Sequence, residues 1–279
     1  MRLLVTGAGG GLGRAFLDQV PGHHDVAALT HADLDVADHH AVMRAVIGVR
    51  PDAILNLAAM TDVDGCETWL DEAYRANTIG PWNIALAARR VGAMLLHVST
   101  DYVFDGEKAT PYDELDAPAP LGAYGRSKLG GEERIRAVLP EHVVVRTSYV
   151  FGAGDDYVSK AVDKLARLQD AAAIADCIGS PTYVQHLAAR LIPLVLTGRF
   201  GTFHLAGPHP ASRHELLWRI KAIAGLPGEV QEQHVDDLGL AAARPRNSAL
   251  VSLFLAETGI APMPPLDIAL KELIDARDR

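Results

Sequence analysis

A cluster of glycines near the start of the chain constrains its fold more than any other feature. Residues 6–13 read Thr-Gly-Ala-Gly-Gly-Gly-Leu-Gly and follow a short strand-like run at residues 3–6. Gly7, Gly10 and Gly13 are three residues apart. Glycine adopts a positive φ at little cost and lets the backbone approach a pyrophosphate, and the helix that follows offers free N–H groups to that anion. The cluster predicts a dinucleotide-binding turn whose cofactor-contacting residues are Gly7, Gly10, Gly11, Leu12 and Gly13.

Strand-like and helix-like patterns alternate through the first half of the chain. The helical pattern at 39–49 places Val42, Val46 and Val49 on one face. Strands are predicted at 3–6, 25–30, 53–57, 94–99 and 142–146, and helices at 11–20, 39–49, about 71–90 and 121–139. This alternation is typical of βαβ units with right-handed crossovers. We therefore expect an α/β fold with a Rossmann-type, doubly wound parallel sheet.

The second half of the chain is less regular. It predicts helices at 183–196, 213–224 and 266–277, and a strand at 201–206. A length of 279 residues allows one large domain or two smaller ones. We expect a dinucleotide-binding domain made of residues 1–148 and about 182–206, and a smaller, mostly C-terminal α/β substrate domain made of about 149–181 and 207–279.

Composition and charge exclude several classes of partner. The 26 Lys and Arg residues and 35 Asp and Glu residues give a formal net charge of −9, and binding nucleic acid would require clustered Lys and Arg. No apolar run approaches the ~20 residues that span a bilayer, and the N-terminal run is too short for a signal peptide. Cys66 and Cys177 form no disulfide or zinc pattern. We expect a cytoplasmic protein that binds no nucleic acid, membrane or metal.

The end of the second predicted strand bears on the choice of cofactor. In this fold an acidic residue there binds the ribose 2′-hydroxyl of NAD and repels the 2′-phosphate of NADP. Here the strand ends at Thr30 and His31, and Asp33 and Asp35 come later. Thr30 and His31 could tolerate a phosphate. The pattern favours NADPH over NADH, although either cofactor fits.

A second motif points to acid–base chemistry. Tyr124 and Lys128 form a YxxxK pair, and residues i and i+4 of a helix share one face. A nearby ammonium would lower the pKa of the phenol from ~10 toward neutrality. Thr100, at the end of the fourth predicted strand, offers a hydroxyl to a substrate carbonyl. Each has an ordinary structural alternative, a surface pair or a strand-end cap, but their combination with the glycine turn favours catalysis.

With these motifs the chain resembles an extended short-chain dehydrogenase/reductase and, within that group, the dTDP-4-dehydrorhamnose reductase family. The stretches that carry the resemblance are 34–38, 56–64, 99–104, 124–132, 145–151, 179–182 and 244–248. The resemblance implies reduction of a nucleotide-linked 4-keto-6-deoxy sugar. It implies that Tyr124 donates the proton, that Lys128 holds the nicotinamide ribose and tunes Tyr124, and that Thr100 orients the carbonyl.

The resemblance also implies contacts for both ligands. It implies that Asp35 and Val36 flank the adenine of the cofactor and that Ala58 and Ala59 flank the middle of the cofactor. For the substrate the contacts involve the sugar and the nucleotide diphosphate, through Thr61, Val63, Tyr102, Arg244 and Asn247. A planar, always-charged guanidinium such as that of Arg244 suits a phosphate.

Three positions depart from the family pattern. Tyr149 stands where the family usually has Trp, and Cys177 stands where it usually has Gln. Both fall among the residues expected to contact the substrate, so Tyr149 joins that group and the substrate's identity stays open. Ala15 replaces a carboxylate that some relatives use for a metal-linked dimer. We expect a monomer or homodimer without that metal.

Two other functions remain open. The chain could be a non-catalytic, cofactor-binding regulatory subunit that resembles the regulatory subunit of methionine adenosyltransferase. It could instead be a sugar-nucleotide epimerase, or a ketoreductase acting on a different sugar. Fold alone does not decide between these functions, but the intact set of Thr100, Tyr124 and Lys128 favours an enzyme.

Overall fold

Strands and helices alternate along most of the chain, and the computed structural model describes residues 1–277. The strands are β1 (Arg2–Thr6), β2 (Asp25–Leu29), β3 (Ala53–Asn56), β4 (Met94–Thr100), β5 (His142–Thr147), β6 (Val150–Phe151), β7 (Ala171–Ile174), β8 (Ile178–Gly179), β9 (Thr182–Tyr183), β10 (Gly201–His204), β11 (Ala211–Ser212) and β12 (Val230–Gln233). The helices are α1 (Gly11–Leu17), α2 (His39–Val49), α3 (Val63–Thr68), α4 (Leu70–Tyr74), α5 (Gly80–Val91), α6 (Ala123–Val138), α7 (Tyr157–Ala166), α8 (Val184–Leu196), α9 (Arg213–Ala224) and α10 (Leu266–Arg277).

Six strands form one parallel sheet in the order β10-β5-β4-β3-β1-β2. The predicted Rossmann-type parallel sheet is therefore confirmed. The strand order reverses direction between β1 and β3, and ligands of such sheets bind outside the carboxyl ends of the strands at this reversal. The glycine cluster lies at the end of β1, so the topology places it at the reversal.

Helices cover both faces of the sheet because alternate strand residues point to opposite sides. On one face Leu4, Ile54 and Leu95 are fully buried in a cluster that includes α2 and α5. On the other face, Leu3 and Val5 join a cluster that includes α1 and α8. Among residues 1–277, no helix has the length and apolar character needed to cross a membrane.

The C-terminal half adds three two-stranded pairs to this frame. β6 pairs with β9 and β7 with β12 in parallel, and β8 pairs with β11 antiparallel. Its apolar residues, such as Leu165, Leu216 and Leu270, belong to the same buried cluster as Leu3 on the central sheet. The two halves therefore share one continuous core, and the domain boundaries given above remain predictions.

The structure differs from the predicted elements in a few places. The first helix ends at Leu17 rather than residue 20. The helix predicted at 71–90 is three elements, α4, a π-helical turn at Arg75–Ile79, and α5. Pro81 lies in the first turn of α5, where proline's missing N–H is tolerated. The sequence analysis did not predict α3, α7, β7 or β12, or the short strands β6, β8, β9 and β11.

Candidate active site

A cleft with a cavity volume of about 570 Å³ lies at the carboxyl edge of the sheet. It runs from the glycine turn after β1 to the start of α9. The structure brings twelve of the predicted site residues together along its walls: Gly10, Gly11, Leu12, Gly13, Ala59, Thr61, Val63, Thr100, Tyr102, Tyr124, Lys128 and Tyr149.

Steric contacts require glycine at two positions of this turn, Gly7 and Gly13. Gly7 has a φ of +70°, and a Cβ there would lie 2.5 Å from the backbone nitrogen of Ala58. A Cβ at Gly13 would lie 2.3 Å from the carbonyl oxygen of Gly7. Both distances are far inside van der Waals contact, so the turn presents backbone rather than side chains to the cleft. Such a bare backbone cradle fits the pyrophosphate of a dinucleotide.

The residues after β2 lie beside this turn but outside the cleft lining. A Cβ at Gly9 would lie 3.5 Å from Thr30 Cγ2, which places Thr30 next to the glycine turn. Thr30 donates two hydrogen bonds to Asp33, from its backbone N at 2.9 Å and its Oγ1 at 2.6 Å. These bonds lower the pKa of Asp33. His31 is exposed.

Two further residues predicted on the adenine side hold local structure. Asp35 accepts a hydrogen bond from Ala37 N at 2.9 Å and pairs with Arg75 at 3.3 Å. Val36 is buried, and its carbonyl accepts a hydrogen bond from Asn83. Ala58 packs beneath Gly7. These positions, together with Thr30 and His31, stay predictions for cofactor contact.

The YxxxK pair lies on the first turns of α6, opposite the end of β4. Thr100 is buried at the last position of β4. The rings of Tyr102 and Tyr124 meet edge to face, with centroids 5.8 Å apart. Lys128 is buried, and its Nζ donates to the carbonyl oxygen of Val98 at 2.7 Å. The hydroxyl of Thr100, the phenol of Tyr124 and the amine of Lys128 therefore belong to residues that line one cleft.

Burial controls the protonation of this pair. Removal from water lowers the pKa of Lys128 from 10.5 to about 8. The same effect raises the pKa of Tyr124 well above its ordinary value. The expectation that Tyr124 titrates near neutrality is therefore not met in this structure, because Lys128 points to Val98 and desolvation dominates. Tyr124 keeps its proton at neutral pH.

A row of polar side chains crosses the sheet beneath Lys128. Thr6, Asn56 and His97 are register partners on β1, β3 and β4. Thr6 Oγ1 donates to Asn56 at 2.7 Å, and Asn56 Nδ2 lies 3.0 Å from His97 Nδ1. Burial, followed by the charge of Lys128, holds the pKa of His97 well below its ordinary value. Sequence analysis missed this row, whose signal was the presence of Asn and His within otherwise apolar strands.

A buried carboxylate lies behind Thr100. Asp101 accepts hydrogen bonds from Ser148 Oγ at 2.7 Å, Ser248 Oγ at 2.5 Å and Thr100 Oγ1 at 3.1 Å. Burial raises the pKa of Asp101. The three donors come from the end of β4, the segment after β5 and the C-terminal segment, so Asp101 joins all three at the cleft. Sequence analysis did not identify Ser148 or Ser248, because only the fold brings them to Asp101.

Tyr149 and Arg213 also line the cleft. Tyr149 has a φ of +42°, and its hydroxyl donates to the carbonyl of Cys177 at 3.3 Å. The guanidinium carbon of Arg213 lies 5.1 Å from the ring centroid of Tyr149 and 5.3 Å from that of Tyr157. Sequence analysis treated Arg213 only as the start of a helix. Its only signal was a basic residue directly after a capping serine, Ser212.

The structure does not bring Arg244 and Asn247 to the cleft wall. Arg244 pairs with Asp64 at 2.6 Å and donates to the carbonyl of Ala242 at 2.7 Å. Asn247 donates to the carbonyl of Lys108 at 2.7 Å. Both side chains therefore hold the C-terminal segment in place, and their contact with a diphosphate stays a prediction.

The family described as the RmlD substrate binding domain matches residues 1–279. The spore coat polysaccharide biosynthesis protein SpsK of Bacillus subtilis is 37% identical over 278 residues, with 99% of this chain and 98% of that protein covered. The dTDP-4-dehydrorhamnose reductase of Mycolicibacterium smegmatis is 37% identical over 282 residues, with 99% and 85% covered.

Solved structures give the same picture for the fold. The crystal structure of dTDP-4-dehydrorhamnose reductase from Bacillus anthracis in complex with NADP has a TM-score of 0.95 at 33% identity, with 99% of both chains covered. The UDP-glucose 4-epimerase of Thermotoga maritima has a TM-score of 0.87 at 20% identity, with 100% of this chain and 99% of that chain covered. At that identity the likeness to the epimerase extends to the fold alone.

Proposed function

Since the chain belongs to the RmlD substrate binding domain family, in which dTDP-4-dehydrorhamnose reductases are its relatives, we propose that it reduces the keto group of a nucleotide-linked 4-keto-6-deoxy sugar. The observation that carries this proposal is the cleft itself. Thr100, Tyr124 and Lys128 line it together with residues of the glycine turn, whose lack of side chains supports binding of a dinucleotide. The substrate class comes from the relatives, and the chemistry comes from these side chains.

The cofactor is NADPH, and the residues present fit it. Gly10, Gly11, Leu12 and Gly13 line the cleft, and three of these four residues carry no side chain of their own, which suits a pyrophosphate. NADP is the ligand in the related Bacillus anthracis structure. His31 is exposed and directly follows Thr30, which lies next to the glycine turn, so His31 can meet a 2′-phosphate. When bound, NADPH supplies a hydride to the keto carbon.

The side chains of the cleft manage the proton and the carbonyl oxygen. Tyr124 Oη donates its proton to that oxygen as it becomes a hydroxyl, and its raised pKa ensures that the proton is present at neutral pH. Thr100 Oγ1 accepts a bond from Tyr102 N at 3.2 Å and donates to Asp101 at 3.1 Å, and its proton can turn from Asp101 to the carbonyl oxygen. Lys128 lines the same cleft, and with a pKa of about 8 it carries a positive charge at neutral pH that can stabilise the developing oxyanion.

The proposal is tested by following the oxidation of NADPH in the presence of dTDP-linked and UDP-linked 4-keto-6-deoxy sugars. We expect stoichiometric oxidation of NADPH with at least one of them and formation of the 4-hydroxy sugar. Net consumption of NADPH separates a reductase from an epimerase, which returns its cofactor unchanged. Tight binding of NADPH without turnover of any 4-keto sugar would favour the non-catalytic binding function instead.

A further inference from the structure

Arg213 is exceptional among the basic residues around the cleft. In the part of the chain that the structure describes, Lys128 and Arg213 are the only Lys or Arg residues that line the cleft. Lys128 is buried beneath Tyr124 and donates to a backbone carbonyl. Arg213 is half-buried, and within residues 1–277 it forms neither an ion pair nor a hydrogen bond. Its guanidinium thus faces the cleft with all of its N–H donors available.

Two tyrosine rings hold that guanidinium in place. Its carbon lies 5.1 Å from the ring centroid of Tyr149 and 5.3 Å from that of Tyr157. Cation–π contacts of this kind use the flat face of the guanidinium and leave its N–H edge free. An arginine fixed in this way has lost part of its side-chain freedom before any ligand arrives, so less entropy remains to be lost on binding.

Tyr149 is itself held rigidly. It is one of three non-glycine residues with a positive φ among residues 1–277, and strained backbone of this kind is concentrated at functional sites. A Cβ at Gly179 would lie 2.8 Å from the ring of Tyr149, so the ring packs directly on that glycine. The backbone strain and the close packing together fix the surface on which Arg213 rests.

The carboxylates of the cleft are already engaged, which leaves Arg213 for an external anion. Asp101 accepts bonds from three hydroxyls. Asp156 accepts bonds from four backbone N–H groups, those of Gly152, Ala153, Gly154 and Ser159. Asp155 pairs with Arg14 at 3.3 Å. None of these carboxylates pairs with Arg213.

We propose that Arg213 binds the diphosphate of the nucleotide-linked substrate. The guanidinium edge matches phosphate oxygens in a bidentate manner. Arg244, which the family resemblance suggested for this task, is occupied by Asp64. The proposal rests on the proposed function for the identity of its ligand, and it makes Arg213 a specificity-determining residue of the same reaction.

The cofactor also carries a diphosphate, and the position of Arg213 favours the substrate. Its ring partner Tyr149 lines the cleft together with Tyr102, and both belong to the residues predicted to contact the substrate. The experiment must still separate the two ligands. Direct binding does this, since dTDP and NADP⁺ are titrated separately.

The test measures binding of dTDP, thymidine and NADP⁺ by calorimetry to the wild type and to Arg213→Gln. We expect the Kd for dTDP to rise at least about tenfold, because a hydrogen-bonded charge pair is lost. Thymidine lacks the diphosphate, so its affinity should stay unchanged. Affinity for NADP⁺ should also stay unchanged. Arg219→Gln is the matched control, since Arg219 lies on the same helix and pairs with Glu215 at 2.7 Å and Asp267 at 3.2 Å.

A second variant covers the case in which Arg213→Gln does not fold. Arg213→Lys keeps the charge but not the planar edge, and we expect dTDP to bind several-fold more weakly to it. If either variant folds and binds dTDP as tightly as the wild type, the proposal is overturned. Equal losses for dTDP and NADP⁺ would overturn it as well. Because dTDP binding needs no turnover, failure of the reductase assay would leave this result readable by itself.

Discussion

Lys128 and Tyr124 lie one helical turn apart, yet the structure directs their polar atoms to different partners. Nζ of Lys128 reaches the carbonyl of Val98, and the phenol of Tyr124 stays in the cleft. Their pKa values consequently move apart, that of the amine to about 8 and that of the phenol upward. A reductase needs this combination, since the phenol must hold a proton to donate while the amine supplies charge.

The pKa of Lys128 predicts how activity depends on pH. We expect kcat/KM to be constant at lower pH and to fall as the pH rises through about 8, where Lys128 loses its charge. The raised pKa of Tyr124 keeps the phenol out of this range. The pH profile of the residual activity of Tyr124→Phe checks the assignment. A limb that disappears in this variant would belong to the phenol and contradict the prediction.

The lowered pKa of Lys128 also means that this residue, when charged, lowers the free energy of unfolding. Its pKa is about 8 when folded and 10.5 ordinarily, so the unfolded chain binds more protons between these values. The contribution of this group to the free energy of unfolding therefore rises as the pH goes from about 8 to 10.5. Below about pH 8 the buried charge destabilises the protein to its full extent. We expect Lys128→Met to abolish activity and raise the free energy of unfolding at pH 7 by about 1 kcal/mol or more.

Urea denaturation at pH 7 measures this change. The exposed Lys160 provides a control, since Lys160→Met should change the free energy of unfolding by less than about 0.5 kcal/mol. A marked loss of stability in Lys128→Met would show that the hydrogen bond to Val98 outweighs the desolvation of the amine.

Single residues also show what the sequence could and could not predict about the site. Tyr124 and Lys128 are four residues apart, so their shared helix face is evident from spacing alone. Asp101 and Ser248 are 147 residues apart and form a buried hydrogen bond. Arg213 likewise acquires its place only when α9 packs beside Tyr149. Contacts of this kind depend on tertiary structure and have no local pattern.

Among the elements, the turn between β1 and α1 is where we propose that the cofactor binds. Gly13→Ala would place a Cβ 2.3 Å from the carbonyl oxygen of Gly7, so the turn would have to move. We expect the Kd for NADPH to rise more than about tenfold, since the backbone could no longer approach the pyrophosphate. Fluorescence titration with NADPH measures the change.

Gly48→Ala is the matched control for this variant. Gly48 lies within α2, and a Cβ there meets nothing within 4 Å. It should leave NADPH binding unchanged and raise the free energy of unfolding by about 0.5–1 kcal/mol. Wild-type affinity for NADPH in Gly13→Ala would contradict the assignment of the turn.

Element by element, periodicity predicted the central sheet and most helices well, since long apolar patterns dominate there. α7 shows what was overlooked. Asp156 caps this helix by accepting a bond from Ser159 N, and Val158, Ala161, Val162 and Leu165 are buried along one face. The spacing was present in the sequence, but no helix was predicted at these positions. The short strands β8 and β11 carry two residues each and have no detectable period.

At the scale of the whole molecule, the C-terminal segment and the sheet meet at the cleft. Asp101, directly after β4, accepts a bond from Ser248 Oγ. Tyr112 and Leu250 also belong to one buried cluster with Phe104. The α/β class was predictable from the order of the elements, whereas this docking depends on side chains from three separate parts of the chain.

Removal of the Ser248 hydroxyl tests that connection. We expect Ser248→Ala to lower the free energy of unfolding by about 1–3 kcal/mol, since a buried carboxylate loses a partner. We also expect kcat to fall, because Asp101 contacts Thr100. Ser252→Ala is the control, since it removes a bond to Glu114 outside the cleft. It should affect stability alone, and an equal loss of kcat in both variants would contradict the positioning role.

The central claim is that Tyr124 donates the proton in an NADPH-dependent ketone reduction, and Tyr124→Phe tests it most directly. The measurement is kcat for NADPH oxidation with the best 4-keto-6-deoxy sugar nucleotide, beside the exposed-tyrosine control Tyr74→Phe. The account predicts a fall of about 10²–10⁴-fold in Tyr124→Phe, with NADPH affinity retained and Tyr74→Phe unchanged. A Tyr124→Phe enzyme that turns over at the wild-type rate would contradict it.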